Sequence, residues 1–125
     1  MKIYVAGSIV DQALLRDVAA RLWILGCEIT GTWLQEMAIP LGMSSESFNK
    51  KVAIKDIAEV QRADILILDA RQSSGGKNVE WGIAVGQFQH KIIWLVGEET
   101  NVFHYLADKK FSTWDDCIEY IKETK

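Results

Sequence analysis

An acidic residue, Glu80, stands in a setting that suits a catalytic carboxylate. It lies just behind the loop Ser73-Ser74-Gly75-Gly76, among apolar neighbours, and Gly82 leaves space beside it, as a ligand pocket requires. A carboxylate at the floor of a pocket is a candidate nucleophile or base. The alternative is structural, because a Glu in the first turn of a helix is stabilised by the helix dipole even when it has no other role.

Asp56 and Tyr4 are further candidates, and each also has a structural interpretation. Asp56 lies inside a predicted helix, where it is either a second catalytic carboxylate or a solvated residue that pairs with Lys55 or Arg62. Tyr4 lies on a predicted strand, where an aromatic side chain usually belongs to the core. The residue types alone leave both questions open.

One of the tryptophans lies where it could contact a ligand. The segment 31–45 shows no regular hydrophobic period and contains Pro40 and Gly42, so we interpret it as a mobile lid or a substrate-facing loop. Trp33 in this segment is the tryptophan that we expect to stack on a base. Core packing or a dimer interface explains Trp23, Trp94 and Trp114.

Small and polar residues follow two of the predicted strands. In open parallel sheets, ligands bind beyond the carboxyl ends of the strands, so we expect Gly7, Ser8 and the loop Ser73 to Gly76 to contact the substrate. The hydroxyls and free N–H groups of that loop, together with the positive end of the following helix, favour a phosphate or a ribose hydroxyl. A tight turn that caps the helix is the alternative.

The elements that must position these residues alternate between strand-like and helix-like patterns. This alternation predicts one α/β domain over residues 1–125, a Rossmann-like (flavodoxin-like) three-layer sandwich with a mostly parallel sheet of about five strands. The predicted strands are Lys2–Ala6, Cys27–Thr30, Ile65–Asp69, Ile92–Val96 and Lys110–Phe111. The predicted helices run from Asp11 to Leu25, from Ser47 to Ala63, from the Ala70–Gly76 loop to Gln89, from Val102 to Leu106 and, with Ser112 as its cap, from Trp114 to Lys122.

Composition excludes several classes of protein. The chain has 125 residues, 49% hydrophobic and 25% charged, which is typical of a globular domain. Its net charge of −3, without a basic cluster, argues against binding a nucleic-acid polymer. The apolar runs are far shorter than the roughly 20 residues that span a bilayer. The start of the sequence lacks the pattern of a signal peptide, so we expect a cytoplasmic protein without membrane association.

The cysteines and histidines give no sign of a metal site. Cys27 and Cys117 lie far apart in patterns typical of buried elements, which predicts core thiols rather than a disulfide. Neither cysteine, nor His90 or His104, has a partner at metal-ligand spacing. We therefore expect no metal and no cofactor.

Several short motifs occur in a familiar order: Lys2-Ile3-Tyr4-Val5-Ala6-Gly7-Ser8, Asp56 before Ala63-Asp64, Ser74-Gly75 and Glu80-Trp81-Gly82. This ordered set resembles the nucleoside 2-deoxyribosyltransferase superfamily, which includes the 2'-deoxynucleoside 5'-monophosphate N-glycosidases. The similarity continues to Asn101-Val102-Phe103-His104 and so covers nearly the whole chain. It implies cleavage of, or transfer across, the N-glycosidic bond of a small nucleoside or nucleotide.

The resemblance also implies a role for each candidate residue. Glu80 would attack the anomeric carbon of the sugar, Tyr4 would help to orient it, and Asp56 would handle the proton of the departing base. Cleaving this bond builds positive charge on the sugar ring, which a close carboxylate stabilises or traps covalently. The segment with His104 resembles one that completes the site of a neighbouring subunit, which implies a homodimer or a larger homo-oligomer.

The resemblance does not decide whether the substrate carries a phosphate at its 5' position. Transferases that act on nucleosides tend to carry Asp at position 74, whereas the monophosphate glycosidases carry Ser, and Ser74 with Ser8 could bind a phosphate that an Asp would repel. Two positions depart from the glycosidases, because Val10 replaces an Arg and His104 replaces a Ser. Lys77 or a protonated His104 would then supply the missing charge.

Two other functions are compatible with the sequence. One is an enzyme with an altered substrate, such as a ribonucleotide or another N-riboside. The other is a non-catalytic nucleotide-binding sensor or assembly module, since a fold does not fix a function. The presence of Tyr4, Asp56 and Glu80 together favours an enzyme, because binding alone does not need this trio.

Overall fold

The structure is a computed structural model that describes residues 1–35, 39–72, 75–87 and 91–124. Within these ranges, five parallel strands form one sheet in the order β2-β1-β3-β4-β5. The strands are β1 (Lys2–Ala6), β2 (Glu28–Ile29), β3 (Ile65–Asp69), β4 (Ile92–Val96) and β5 (Lys109–Phe111). The helices are α1 (Gln12–Ile24), α2 (Ser45–Arg62), α3 (Gly75–Val85) and α4 (Trp114–Thr124), with 3-10 turns at Ile9–Asp11, Thr32–Gln35 and Val102–Leu106.

This architecture confirms the predicted Rossmann-like, flavodoxin-type α/β fold. The apolar run Ile65–Asp69 is buried along its whole length, as a central strand covered on both faces requires. Helix α2 packs against α3, and α1 packs against α4, so the sheet lies between two helical layers. The strand order reverses between β1 and β3, and the carboxyl ends of these two strands therefore mark the crevice where such folds bind ligands.

Helix α2 begins two residues before the predicted Ser47, and the cap of α4 differs from the predicted one. Ser44 caps α2, because its hydroxyl accepts the N–H of Ser47 at 3.1 Å, so the helix begins at Ser45. The predicted Ser112 cap of α4 is wrong, because the Thr113 hydroxyl accepts the N–H of Asp116 at 3.1 Å. Asp11 makes no side-chain capping bond to α1.

Two predicted elements differ for other reasons. Helix α3 ends at Val85, before the expected Gln89, and residues 88–90 lie outside the described ranges, as does the middle of the predicted lid, residues 36–38. The part of the lid that precedes them is ordered as the 3-10 turn Thr32–Gln35, which is tied to its surroundings by hydrogen bonds described below. Segment 31–45 is therefore not one irregular loop.

The core contains the expected thiols and two of the three expected tryptophans. Cys27 and Cys117 are free and buried. Trp94 and Trp114 are also buried, whereas Trp23 is 71% exposed, so core packing does not explain Trp23 and the alternative of a dimer interface stays a prediction. Trp23 lies in the last turn of α1, where it lines a surface pocket beside the edge strand β2.

In the described part of the chain, no helix is both long and apolar enough to cross a membrane.

The cap of α4 provides a test of the local structure. We expect Thr113→Ala to lower the free energy of unfolding by about 1 kcal/mol, because the N–H of Asp116 loses its acceptor. Ser112→Ala should change it by less than about 0.5 kcal/mol, as for an ordinary surface substitution. Urea denaturation followed by circular dichroism measures both, and a larger loss for Ser112→Ala would contradict this assignment.

Candidate active site

Tyr4 and Glu80 form a hydrogen-bonded pair in the interior. The Tyr4 hydroxyl donates to Oε2 of Glu80, although the two residues are 76 positions apart in the sequence. Tyr4 is fully buried on β1, which is paired on both sides, so its ring is held by the sheet. The structure thus makes Tyr4 both a core residue and a partner of the candidate nucleophile.

A cavity of about 410 Å³ brings Glu80 and Asp56 together. Glu80 enters it from α3 and Asp56 from α2, and Trp33 forms part of the wall. The remaining lining is mostly apolar and comes from Gly7, Ile9, Val52, Ala53, Ile57, Gly76, Lys77, Val79 and Ile83. An apolar cavity with a few convergent polar groups at the carboxyl end of β1 is typical of a small-molecule site.

The ionisation of Glu80 is shifted by its surroundings. Burial raises the pKa of its carboxyl group to about 7, and the nearby charges of Asp56 and Glu59 act in the same direction. The hydrogen bond from Tyr4 opposes this shift, because it stabilises the ionised carboxylate. Burial, with the adjacent Glu80, also raises the pKa of the Tyr4 hydroxyl far above its ordinary value, so the phenol keeps its proton and remains a donor.

The structure describes some of the loop residues that were predicted to contact the substrate. Gly7 and Gly76 line the cavity, and Gly75 begins α3. Ser8 is buried, and its hydroxyl accepts the N–H of Val10 at 3.4 Å at the start of the turn that follows β1. Ser73 and Ser74 lie outside the described residues, so the predicted contact of Ser74 with substrate stays a prediction.

Trp33 is a fixed part of the cavity wall. It is buried, and its indole N–H donates to the carbonyl of Val5 at 2.8 Å. The side-chain amide of Gln12 donates to the carbonyl of Trp33, also at 2.8 Å. Its position beside the cavity is compatible with the predicted contact to a base, and the two hydrogen bonds hold it in place.

His104 lies outside the lining of the cavity. It is buried with its ring edge-on to Trp81, and its Nε2 is 2.9 Å from the side-chain oxygen of Asn78. Its Nδ1 accepts the N–H of Thr100 at 3.1 Å, and it is not part of the cavity lining. Burial, followed by the charge of Lys77, lowers the pKa of His104 and so disfavours a protonated ring, and the positive charge suggested for it stays a prediction.

Among the described residues that line the cavity, Lys77 is the cation, and its ammonium group is already hydrogen-bonded. It is 2% exposed and donates to the carbonyl of Asp69, at 2.9 Å, and to that of Gln72. Burial lowers its pKa, with Asp69 and Asp11 acting in the opposite direction. Lys77 therefore fastens α3 to the chain that leaves β3, whether or not it also meets a phosphate.

The sequence analysis missed two buried carboxylates near the site. Glu59 lies three residues after Asp56 on α2, and this spacing, which places both on one helix face, was the signal available. Asp69, at the end of β3, accepts bonds from the guanidinium of Arg71 and from the indole N–H of Trp114, the latter at 2.7 Å. Burial opposes the ionisation of Asp69, but these bonds outweigh it and lower its pKa.

Comparison with known proteins identifies the fold. No family model and no curated protein sequence matches the chain. Among solved structures, a conserved protein from Enterococcus faecalis matches with a TM-score of 0.74 and 17% identity, over 100% of this chain and 99% of that one. A 2-deoxyribosyltransferase from Bacillus psychrosaccharolyticus matches with a TM-score of 0.72 and 22% identity, over 96% and 92%. A CMP N-glycosidase, BcmB, from Clostridium botulinum matches with a TM-score of 0.60 and 15% identity, over 98% and 99%.

These matches show the structural class of the chain and the known proteins that share its fold. The class is the open parallel α/β sheet with a site at the strand-order reversal between β1 and β3. Within this class, the chain shares its fold with a 2-deoxyribosyltransferase and with a CMP N-glycosidase. The coverage of both partners is nearly complete, so the likeness extends beyond a shared core.

The raised pKa of Glu80 predicts a pH-dependent stability. Because this pKa rises from 4.5 to about 7, the folded protein binds the proton more tightly than the unfolded chain does. The resulting stabilisation, at most about 3 kcal/mol, is fully present below the unfolded pKa and is lost as pH rises through the folded one. Urea titrations from about pH 5 to pH 8 should show a smaller fall for Glu80→Gln than for the wild type.

The exposed Glu119 on α4 provides a matched control. Glu119→Gln should keep the pH dependence of the wild type. If Glu80→Gln and the wild type gave parallel curves, Glu80 would not hold a raised pKa.

Proposed function

We propose that the protein is an enzyme that cleaves the N-glycosidic bond of a nucleoside or nucleotide and passes the sugar to water or to a second base. The observation that carries this proposal is the Tyr4–Glu80 hydrogen bond, located where Glu80 and Asp56 line one cavity. The sequence motifs and the shared fold support it, since one structural neighbour is a 2-deoxyribosyltransferase and another is a CMP N-glycosidase.

The proposed reaction begins with the ionised carboxylate of Glu80. It attacks the anomeric carbon, the bond from that carbon to the base breaks, and the electron pair of that bond passes to the base nitrogen. Asp56 transfers a proton to the departing base. Water or a second base then attacks the same carbon and releases Glu80, with Asp56 accepting the proton of the incoming group.

Tyr4 and the apolar cavity walls together set the ionisation of Glu80. Tyr4 keeps its proton, so its hydroxyl orders one oxygen of Glu80 and favours the ionised form. Burial in apolar surroundings has the opposite effect on Glu80, and the balance places its pKa near neutrality. A carboxylate with such a pKa is partly ionised at pH 7 yet little shielded by water, which suits attack on a carbon that becomes positively charged.

The sugar and its 5' substituent define the finer substrate class, which we propose to be a 2'-deoxynucleoside or its 5'-monophosphate. A phosphate would meet the amino end of α3, with Ser8 and the predicted contact Ser74 beside it. Lys77 is close to this end but already binds two carbonyl groups. A ribonucleotide is the competing substrate, because the CMP N-glycosidase has the same fold.

A substrate panel tests the proposal. We expect the purified protein to release free base from at least one member of a set of deoxynucleosides, ribonucleosides and their 5'-monophosphates, followed by chromatography with and without an acceptor base. Glu80→Ala should reduce this rate by at least about 1,000-fold, since the nucleophile is lost. Asp56→Asn and Tyr4→Phe should give smaller losses, of about 10- to 100-fold.

The control for the panel is Glu119→Gln, which should retain full activity. Base release that survives Glu80→Ala would contradict the assigned nucleophile. Saturable binding of a nucleotide without release of base, in wild-type protein, would support a non-catalytic sensor or assembly module instead.

We also propose that the protein is a homodimer or a larger homo-oligomer, with the Val102–Leu106 turn at the interface. This turn exposes Val102, Phe103 and Tyr105, each at more than 60%. The indole N–H of Trp81 donates to the carbonyl of Phe103 at 3.0 Å, so the exposed side chains project from a fixed backbone. Clustered apolar side chains on a rigid surface are typical of protein interfaces.

Light scattering coupled to gel filtration tests this interface. We expect Phe103→Asp to shift the wild-type oligomer towards the monomer, because it places a charge in the apolar contact. Trp23→Asp is the matched control, since Trp23 is equally exposed but lies on α1, away from this turn. A monomeric wild type, or dissociation by Trp23→Asp alone, would contradict the proposed interface.

A further inference from the structure

Glu59 is a buried carboxylate that the proposed reaction does not use. It is 8% exposed on α2, one turn after Asp56. Its Oε1 accepts the backbone N–H of Thr32 at 3.0 Å, and its Oε2 accepts the Thr32 hydroxyl at 2.8 Å. Both oxygens of one side chain therefore hold one residue of the chain that leaves β2.

The carboxylate is part of a larger attachment. The Thr30 hydroxyl donates to the backbone carbonyl of Glu59 at 3.0 Å, and the Thr30 N–H donates to the carbonyl of Ile3 at 2.9 Å. Together with the bonds from Trp33 to Val5 and from Gln12 to Trp33, these contacts fasten residues 30–33 to β1, α1 and α2. We call residues 30–33 the anchored segment.

The anchored segment packs against Tyr4, the hydrogen-bond partner of Glu80. A Cβ atom at Gly31 would lie 3.0 Å from Cε2 and 3.2 Å from Cδ2 of Tyr4, so the backbone of the segment packs directly against the Tyr4 ring. Two residues later, Trp33 forms part of the cavity wall. This segment thus packs against the ring that the sheet holds and supplies part of the cavity wall beside it.

We propose that Glu59 is a positioning residue for the reaction, acting through the anchored segment on Tyr4 and Trp33. This inference rests on the proposed function. Ordinary packing would hold a loop to a helix without burying a carboxylate, whose desolvation is costly unless it is hydrogen-bonded. Two bonds to one residue fix a direction as well as a distance, and such geometry limits the motion of the adjoining Tyr4 and Trp33 side chains.

Glu59 also acts on Glu80 through its charge. Tyr4 on β1, and Asp56 and Glu59 on α2, influence the ionisation of Glu80, and Lys77 on α3 lines the same cavity. Among them, both carboxylates raise the pKa of Glu80, after the larger effect of burial. Replacing Glu59 with Gln therefore removes one negative charge while keeping the size of the side chain and an acceptor for the Thr32 N–H.

Three variants separate position from charge. Glu59→Ala removes both bonds to Thr32, and we expect kcat to fall by about 100-fold, as for a displaced catalytic pair. Glu59→Gln should restore kcat to within about fivefold of the wild type and move the acidic limb of the pH profile to lower pH. Thr32→Val, at an exposed residue, removes one bond and should give a loss between the two. Glu46→Ala, at the exposed start of α2, is the matched control and should have no effect.

A second readout does not depend on activity. The buried indole N–H of Trp33 is bonded to Val5, so its hydrogen exchange, followed by NMR, reports the position of the anchored segment. We expect exchange to accelerate at least about tenfold in Glu59→Ala and to stay near the wild-type rate in Glu59→Gln. If Glu59→Ala does not fold, Thr32→Val must show the same two changes at reduced size.

The outcomes distinguish this inference from the proposed function. Wild-type protein that releases no base contradicts the proposed function, and indole exchange then still tests the anchoring. A kcat of Glu59→Ala within twofold of the wild type, or unchanged exchange, would overturn the positioning role. Glu59→Gln as slow as Glu59→Ala, with normal exchange, would also overturn it, because charge rather than position would then matter.

Discussion

The hydrogen bond from Tyr4 to Glu80 is the interaction on which the rest of the site depends. It joins a central strand to the helix on one face of the sheet, with Tyr4 fully buried and Glu80 half-buried in the wall of the cavity. In this pair the phenol keeps its proton, and the carboxylate is the group that changes charge. The fold thereby selects which of the two groups titrates near neutrality.

The sheet explains why this pair occurs at the strand-order reversal. Strands β1 and β3 are neighbours, and the chain leaves them towards opposite helical layers, which opens a crevice at their carboxyl ends. Glu80 enters that crevice from the helix after β3, and Asp56 from the helix before it. Glu80 and Asp56, the two carboxylates that the sequence analysis singles out, thus line one cavity.

Much of the fold and part of the site could be predicted from the sequence. The apolar runs at Ile65–Asp69 and Ile92–Val96 predicted central strands because a strand that is buried on both faces is apolar at every position rather than at alternate ones. The cap of α4 was assigned one residue too early, since Ser112 and Thr113 have equivalent side-chain chemistry and only the backbone shows which hydroxyl faces the helix.

Contacts between distant segments could not be predicted in the same way. The pairing of Glu59 with Thr32 and the packing of Gly31 on Tyr4 depend on how a helix and a turn meet in three dimensions. Local periodicity carries no signal for such contacts. For Trp23 the sequence left core packing and a dimer interface open, and only the three-dimensional structure shows that its side chain is exposed.

The last residue of β3 connects both helical layers. The side chain of Asp69 binds Trp114 at the start of α4, on one face of the sheet, while its backbone carbonyl binds Lys77 of α3 on the other. Asp69 and Lys77, at the two ends of the connection from β3 to α3, are therefore bonded directly to each other. Insertions and deletions, which surface loops usually accept, would here separate these partners, so the length of this connection should vary little as the protein diverges.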